Sequence, residues 1–367
     1  MTRRRLLSAL AAPRRGTDQP NIILIMADDL GFSDLGCYGS EIPTPNLDRL
    51  ARNGVRFTQF YNAARCCPTR ASLLTGLYPH QAGIGHMGRD MGTPAYQGYL
   101  NRECVTIAEV LRSAGYATYM SGKWHVGNDR GQWPCDRGFD QSFATLGGTS
   151  DYFKPRNLVR NDRPAAAGGK DFYLTDAFTD EAVAMLRAHR GKSAPYFLYL
   201  AYTAPHFPLQ ARAADVARHR GRYRAGWDVI RRERHSRMIG LGVVDRRWPL
   251  SPPPAEAPEW GSAAAQDDWD LRMATYAAMV ERLDEGVGRV LAEADEANTI
   301  VVFLSDNGGC AETKPDGSTY ELPWANVSNT PFRNYKHWTH EGGISTPLKL
   351  NSMRPSGAPV MSACQRK

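Results

Sequence analysis

Residues 21–31 read NIILIMADDLG. The six residues 22–27 are all apolar, and successive side chains of an extended segment point to opposite sides. A run apolar on both faces and only six residues long predicts a strand buried in a parallel sheet. It stops at Asp28 and Asp29. Residues 299–309, TIVVFLSDNGG, repeat the design: an apolar run that ends in Asp306 and Asn307.

Working outward, helical and extended segments alternate. Residues 44–54, TPNLDRLARNG, predict a short helix with Thr44 or Asn46 as N-cap and Gly54 as stop. Residues 55–62 (VRFTQFYN) predict a strand, and 70–77 a helix. Residues 105–115 (VTIAEVLRSAG) predict a helix closed by Gly115, followed by a strand in 117–125 (ATYMSGKWH). An amphipathic helix at 175–190 leads to a strand in 196–206, YFLYLAYTAPH. After an Arg- and Pro-rich insertion, 208–262, a helix over 267–294 carries Met279, Leu283, Val287, Val290, Leu291 and Ala294 at intervals of three and four. The fold class is therefore α/β, with a mainly parallel central sheet flanked by helices. In such sheets, sites form beyond the carboxyl ends of strands. Four predicted strand ends carry polar clusters: Asp28–Asp29, Lys123 with His125, His206, and Asp306–Asn307.

The 367 residues suffice for a large core. No apolar run approaches the roughly 20 residues that span a membrane. The 45 Lys and Arg against 38 Asp and Glu leave a net charge of +7, much of it in 211–247. No nucleic-acid-binding motif accompanies this charge, so it reads as a solvated basic face or a loop near an anionic substrate. Residues 1–19 open with MTRRRLLSALAAP and read as a basic tail or a short export signal. This makes a periplasmic or secreted location the expectation, with a cytoplasmic one the alternative. Seven cysteines, none in C-x-x-C spacing, argue against a zinc ribbon or a thioredoxin-type site.

Asp28, Asp29, Asp306 and Asn307 offer only oxygen, which suits a hard divalent cation, Ca2+ or Mg2+. An Asp-Asp pair alone is more often a turn or cap; two such clusters after apolar strands shift the balance toward metal. Lys123, His125, His206 and Lys336 are candidate anion-binding and acid–base groups. Residues 62–76, NAARCCPTRASLLTG, hold the remaining signal: adjacent cysteines before a proline and an arginine. Taken alone, the pair reads as two buried or disulfide-prone thiols.

The spacing Cys66-x-Pro68-x-Arg70, followed by ASLLTG, resembles the signature of the type I sulfatases, in the alkaline-phosphatase-like superfamily. The resemblance runs from about residue 20 to 347 through NIILIMADDLG, PTPNLDRLARNGVRFTQFY, SGKWHVG, TAPHFP, FLSDNGG and KHWTHEGGISTP. It implies hydrolysis of an aryl sulfate or sulfated carbohydrate, with a dedicated maturation enzyme converting Cys66 to formylglycine. Cys67 then merely fills the variable position. Asp28, Asp29, Asp306, Asn307 and the modified Cys66 would hold the cation, calcium by family expectation and magnesium otherwise. One hydroxyl of hydrated formylglycine would attack sulfur, and the other, deprotonated with help from His125, would release sulfate. Arg70 and Lys123 would order these oxygens, while Lys123, His206 and Lys336 would bind sulfate and assist departure of the alcohol. A phosphodiesterase or phosphonate monoester hydrolase of the same superfamily is the alternative, as is an inactive fragment that only binds sulfated glycans.

The resemblance implies a catalytic domain over 20–348 and departs after GGISTPL. There the family continues with an apolar strand and a small antiparallel C-terminal subdomain, whereas residues 349–367 are polar and irregular. Lys349, Asn351 and Pro355 are expected to break that strand, and the subdomain to be absent or truncated, leaving exposed apolar surface.

Overall fold

The structure, a computed structural model, describes residues 19–262, 266–295 and 298–352. All but the last residue of the basic tail or signal expected over 1–19, the final segment from 353 and Cys364 lie outside the described residues.

Among the described residues, nine strands form one sheet: β1 (Asn21–Ala27), β2 (Val55–Phe57), β3 (Ala117–Lys123), β4 (Gln141–Thr145), β5 (Leu158–Arg160), β6 (Arg163–Pro164), β7 (Tyr196–Ala201), β8 (Thr299–Ser305) and β9 (Leu348–Ser352). Their order is β2-β9-β8-β1-β7-β3-β4-β5-β6. The central pairings, β8 with β1, β1 with β7, β7 with β3 and β3 with β4, are parallel. The outer pairings are antiparallel. The helices are α1 (Pro45–Arg52), α2 (Cys66–Thr75), α3 (Ile107–Ser113), α4 (Leu174–His189), α5 (Ala213–Ala217), α6 (Trp227–Gly240), α7 (Gln266–Leu291), α8 (Glu321–Ser328) and α9 (Glu341–Ile344).

β1 is buried on both faces, as its unbroken apolar run predicts. Ile23, Ile25 and Ala27 pack into one core with Leu186 of α4 and Leu283 and Val287 of α7. Leu24 and Met26 face the other core, with Ala71 and Leu74 of α2 and Ala108 of α3. Burying each such aliphatic side chain contributes about 1.5–3 kcal/mol, so the two-sided core holds the strand ends firmly in register. That register pairs Ala27 with Ser305, which sets Asp28–Asp29 beside Asp306–Asn307.

Local structure departs from expectation in four places. The helix expected over 70–77 begins at Cys66. Pro68 falls in its first turn, where a missing N–H leaves no bond unmade. Both cysteines therefore belong to the helix, which ends at Gly76 with φ 72°. The strand expected over 55–62 is only Val55–Phe57. The insertion at 208–262 contains α5 and α6, and its arginines are not simply a solvated face. Arg218 pairs with Asp215 and Glu281, Arg220 with Asp267 and Asp270, and buried Arg234 with Asp34 and Glu41.

The fourth departure is the segment expected to be broken by Lys349 and Asn351, which instead forms β9. Lys349 pairs with Arg56 of β2 on one side and Phe303 of β8 on the other. Hydrogen bonding along both edges overrides the weak strand preference of lysine. The Lys349 ammonium is buried between the rings of Phe303 and Tyr38, 5.2 and 5.8 Å from their centroids.

Candidate active site

The site forms where β1, β3, β7 and β8 end. Asp306 N donates to Ala27 O at 3.2 Å, and Asp29 N donates to Asp306 Oδ1 at 3.2 Å, so the two acidic clusters are stitched together by backbone. Asp29 sits at φ 64°, in the left-handed region that Asp tolerates better than most residues. Asn307 Nδ2 donates to Asp29 Oδ1 at 2.7 Å.

Lys123 arrives because Gly122 precedes it. Gly122 has φ 130°, and a Cβ there would lie 1.9 Å from Ala201 O, so only glycine lets β3 close on β7 at that point. Lys123 Nζ donates to Asp28 Oδ2 at 2.5 Å. Arg70, one turn into α2, donates from Nη2 to Asp306 Oδ2 at 2.8 Å and from Nη1 to the carbonyl of Lys123 at 2.9 Å. Its Nη2 also lies 3.8 Å from Asp28 Oδ2. Cys66 occupies the first turn of α2, where unpaired N–H groups and the helix dipole favour negative charge. From the opposite side, Lys336 Nζ reaches Asp29 Oδ2 at 3.0 Å and lies 3.3 Å from His206 Nε2. Every candidate residue named from sequence is thus in one cluster, and all but His125 are almost wholly buried.

Not every polar atom of the cluster is paired: Arg70 Nε and His125 Nδ1 lack partners, and so do two carbonyl or carboxylate oxygens. Asp28 Oδ1 and Asn307 Oδ1 are buried without a hydrogen-bond partner. Buried polar atoms are rarely left so, and both belong to the oxygen set expected to hold a cation. The raised carboxyl groups agree. Burial, together with the carboxylate of Asp28, pushes Asp306 up to about 8, and burial raises Asp28 despite Lys123 and Arg70. Arg70, Lys123 and Lys336 match the three carboxylates in number, yet burial still raises Asp28 and Asp306, an effect that a cation among their oxygens would oppose. The donor set is all oxygen, so it fits Ca2+ or Mg2+.

The remaining groups are poised in defined protonation states. A hydrogen bond from Cys67, with Lys123 and His125 nearby, holds the Cys66 thiol well below its ordinary range against the opposing effect of burial. Burial lowers His125 and takes His206 down to about 4, so both imidazoles are neutral at pH 7. On Lys336, burial acts downward, but the carboxylates of Asp29 and Asp28 with the thiols of Cys310 and Cys66 together outweigh it and keep the ammonium charged.

Three neighbours escaped sequence reasoning. Cys67 does more than fill a variable position, since its Sγ lies 3.2 Å from His125 Nε2. Gly148 packs against the imidazole of His125, where a Cβ would meet Cε1 at 2.5 Å. Tyr152 donates to Thr203 O at 2.8 Å and His206 O at 2.9 Å, holding the loop that carries His206. Only a three-dimensional contact reveals the last two. The cysteine doublet was itself the signal for the first.

A cleft of about 550 Å3 opens onto the cluster. Cys66, His125, His206 and Lys336 form its floor, and Arg65, Glu312, Lys314 and Asp316 supply charge around it.

The chain is 37% identical over 388 residues to an uncharacterized sulfatase of Schizosaccharomyces pombe, covering 90% of this chain and 69% of that protein. It is 35% identical to the Arylsulfatase of Klebsiella aerogenes, covering 91% of this chain and 81% of the relative. Among solved structures it is similar to Ps i-CgsB in complex with k-i-k-neocarrahexaose, with TM-score 0.66 and 30% identity over 93% of this chain and 67% of the other. The profile of the sulfatase family matches residues 20–350. With a mainly parallel α/β sheet and these relatives, the chain belongs to the sulfatase family of sulfuric ester hydrolases.

Proposed function

We propose that this enzyme cleaves sulfate esters of carbohydrates, using formylglycine made from Cys66 by a maturation enzyme, and Ca2+ or Mg2+ held by Asp28, Asp29, Asp306 and Asn307 beside residue 66. The observation that carries the reading is the pair of orphaned acceptors, Asp28 Oδ1 and Asn307 Oδ1, within an all-oxygen set next to Cys66. The bound cation and the modified residue supply an activated oxygen nucleophile for sulfur.

The other side chains bind, orient and move protons. Arg70 bridges the carboxylate of Asp306 and the carbonyl of Lys123, so it keeps α2 and the end of β3 at one separation. Lys123 and Lys336 are cations facing one small space, which suits the oxygens of a sulfate group. Lys336 carries a proton beside a neutral His206, so the ammonium is the donor to the departing alcohol and His206 orients it. His125, neutral at pH 7, is the base at residue 66.

The cleft favours a sulfated carbohydrate over a bare aryl sulfate. Its charged side chains outnumber its apolar ones, Met87, Phe207 and Pro208. Such a surface recognises hydroxyl and charged groups, whereas an aromatic or steroid portion needs a mainly apolar pocket. The similar structure Ps i-CgsB was solved with k-i-k-neocarrahexaose.

The test is hydrolysis of sulfated saccharides by protein from a host that matures sulfatases. Release of inorganic sulfate is expected from the parent and none above background from Cys66→Ala. Parent-level turnover by Cys66→Ala, or cleavage of phosphodiesters in preference to sulfate esters, refutes the reading.

A further inference from the structure

We propose that Cys66, Cys67 and His125 form a binding site for a thiophilic divalent cation of the zinc class while Cys66 is unmodified. The site is distinct in chemistry from the oxygen set, and its link to maturation rests on the formylglycine reading above.

The geometry carries the proposal. One sulfur from each cysteine and one imidazole nitrogen lie within 4.8 Å of one another. Cys67 Sγ and His125 Nε2 are already 3.2 Å apart. Zinc–sulfur bonds of about 2.3 Å and zinc–nitrogen bonds of about 2.0 Å at tetrahedral angles separate ligand atoms by roughly 3.5–3.8 Å. The three atoms therefore need only small adjustments to close on an ion.

The scaffold holds them there. Both cysteines are in the first turn of α2, fixed by the packing of Ala71 and Leu74 in the core. His125 follows β3 and is backed by Gly148, so its ring has little room to turn away. Cys66 and His125 line the cleft, while Cys67 lies behind them and is fully buried. An ion thus enters from the cleft, takes three protein ligands and keeps its fourth position toward solvent, as open zinc sites do.

Softness separates this site from its neighbour. Two sulfurs and one imidazole select a cation of the zinc class, whereas Asp28, Asp29, Asp306 and Asn307 select a hard one. Excess calcium should therefore leave zinc in place. Replacement of the Cys66 sulfur by oxygen on maturation removes one of two sulfur ligands, so the zinc site exists in the precursor and is lost in the mature enzyme.

The experiment uses the full chain made in a host without maturation activity, with an intact Cys66 verified by peptide mass. Zn2+ is titrated against a chromophoric chelator in excess Ca2+, and Co2+ is used to read sulfur-to-metal charge transfer. One equivalent with a sulfur–cobalt band is expected. Loss of an outer hydrogen bond to a zinc ligand already costs about 10–100-fold in affinity. Cys67→Ser, which removes a ligand outright, should cost more than about 100-fold, and His125→Gln should weaken binding as well. Cys310→Ser, at a buried cysteine away from the trio, should change nothing. An unchanged melting temperature of the zinc-free Cys67→Ser chain excludes misfolding as the cause. Absence of binding, binding indifferent to Cys67→Ser, or displacement by calcium overturns the proposal. None of these readouts needs turnover, so failure of the hydrolysis assay and failure of the zinc titration are separate results.

Discussion

Two regions of this protein concentrate opposite charges, and they do so differently. In the insertion, where α5 packs against α7 and α6 against α8, the buried arginines are closed by acceptors, Arg231 by carbonyls and the Ser251 hydroxyl and others by carboxylates. Arg234 is buried between Asp34 at 2.6 Å and Glu41 at 2.8 Å, and Arg218 lies between Asp215 and Glu281. At the strand ends, Arg70, Lys123 and Lys336 meet Asp28, Asp29 and Asp306, yet acceptors remain unpaired and Asp306 is pushed up to about 8 by burial and Asp28. A complete set of pairs is structure. His219 Nδ1 and Tyr223 Oη of the insertion are unpaired as well, but at the strand ends the orphaned oxygens lie among crowded carboxylates, and burying such oxygens costs free energy that a cation would offset.

Mutation should separate the two regions. The largest effect is expected at Asp306→Asn, which should lower sulfate release by about 1000-fold or more, since it weakens the hold on the cation that would activate the nucleophile. Calcium at 100 times its Kd should stabilise the parent by about 2.7 kcal/mol, and this increment should shrink in the variant. An equal calcium-induced shift in Tm for both chains would remove Asp306 from the cation site.

Next comes Arg234→Ala. Breaking a buried pair leaves Asp34 and part of Glu41 uncompensated, for a loss of about 3–5 kcal/mol by urea denaturation. A loss below 1 kcal/mol would show that this network is no more than surface pairing.

The third test is pH. His206 is taken down to about 4 by burial, from an ordinary 6.5. The unfolded chain thus takes up a proton at a pH where the folded chain does not. The stability from neutral, buried His206 is fully present above pH 6.5 and is lost as pH falls from 6.5 toward 4. The span is on the order of 3 kcal/mol. His206→Gln should flatten the cation-free stability curve in that window, and an unchanged slope would assign the acid sensitivity elsewhere.

The smallest effect is expected at Arg218→Ala. Its guanidinium is partly exposed, so solvent screens the pairs with Asp215 and Glu281, and the loss should stay below about 1 kcal/mol. A larger loss would mean that the insertion depends on this pair more than on its buried arginine.

Much of this was legible in the chain. The apolar runs 22–27 and 300–304 identified two buried strands because burial on both faces leaves no room for alternation. Their polar ends located the acidic residues, since α/β sheets place sites at carboxyl ends. The start of α2 was misread because proline usually interrupts a helix, although its first turn accepts it. β9 was misread because Lys349 and Asn351 argue against a strand locally, and only pairing with β2 and β8 supplies the compensating bonds. Likewise, 211–247 reads as free positive charge until α7 and the 34–41 loop are seen against it.

By itself, then, the order of residues determined the strand–helix alternation, the kinds of groups at the strand ends and the family signature around Cys66. These depend on short-range patterns of apolar and polar side chains. The tertiary structure alone decided which charges are satisfied. Whether Asp28 Oδ1 lacks a partner while Arg234 has two depends on distances between segments some two hundred residues apart, and electrostatic energy in a buried site is governed by those distances.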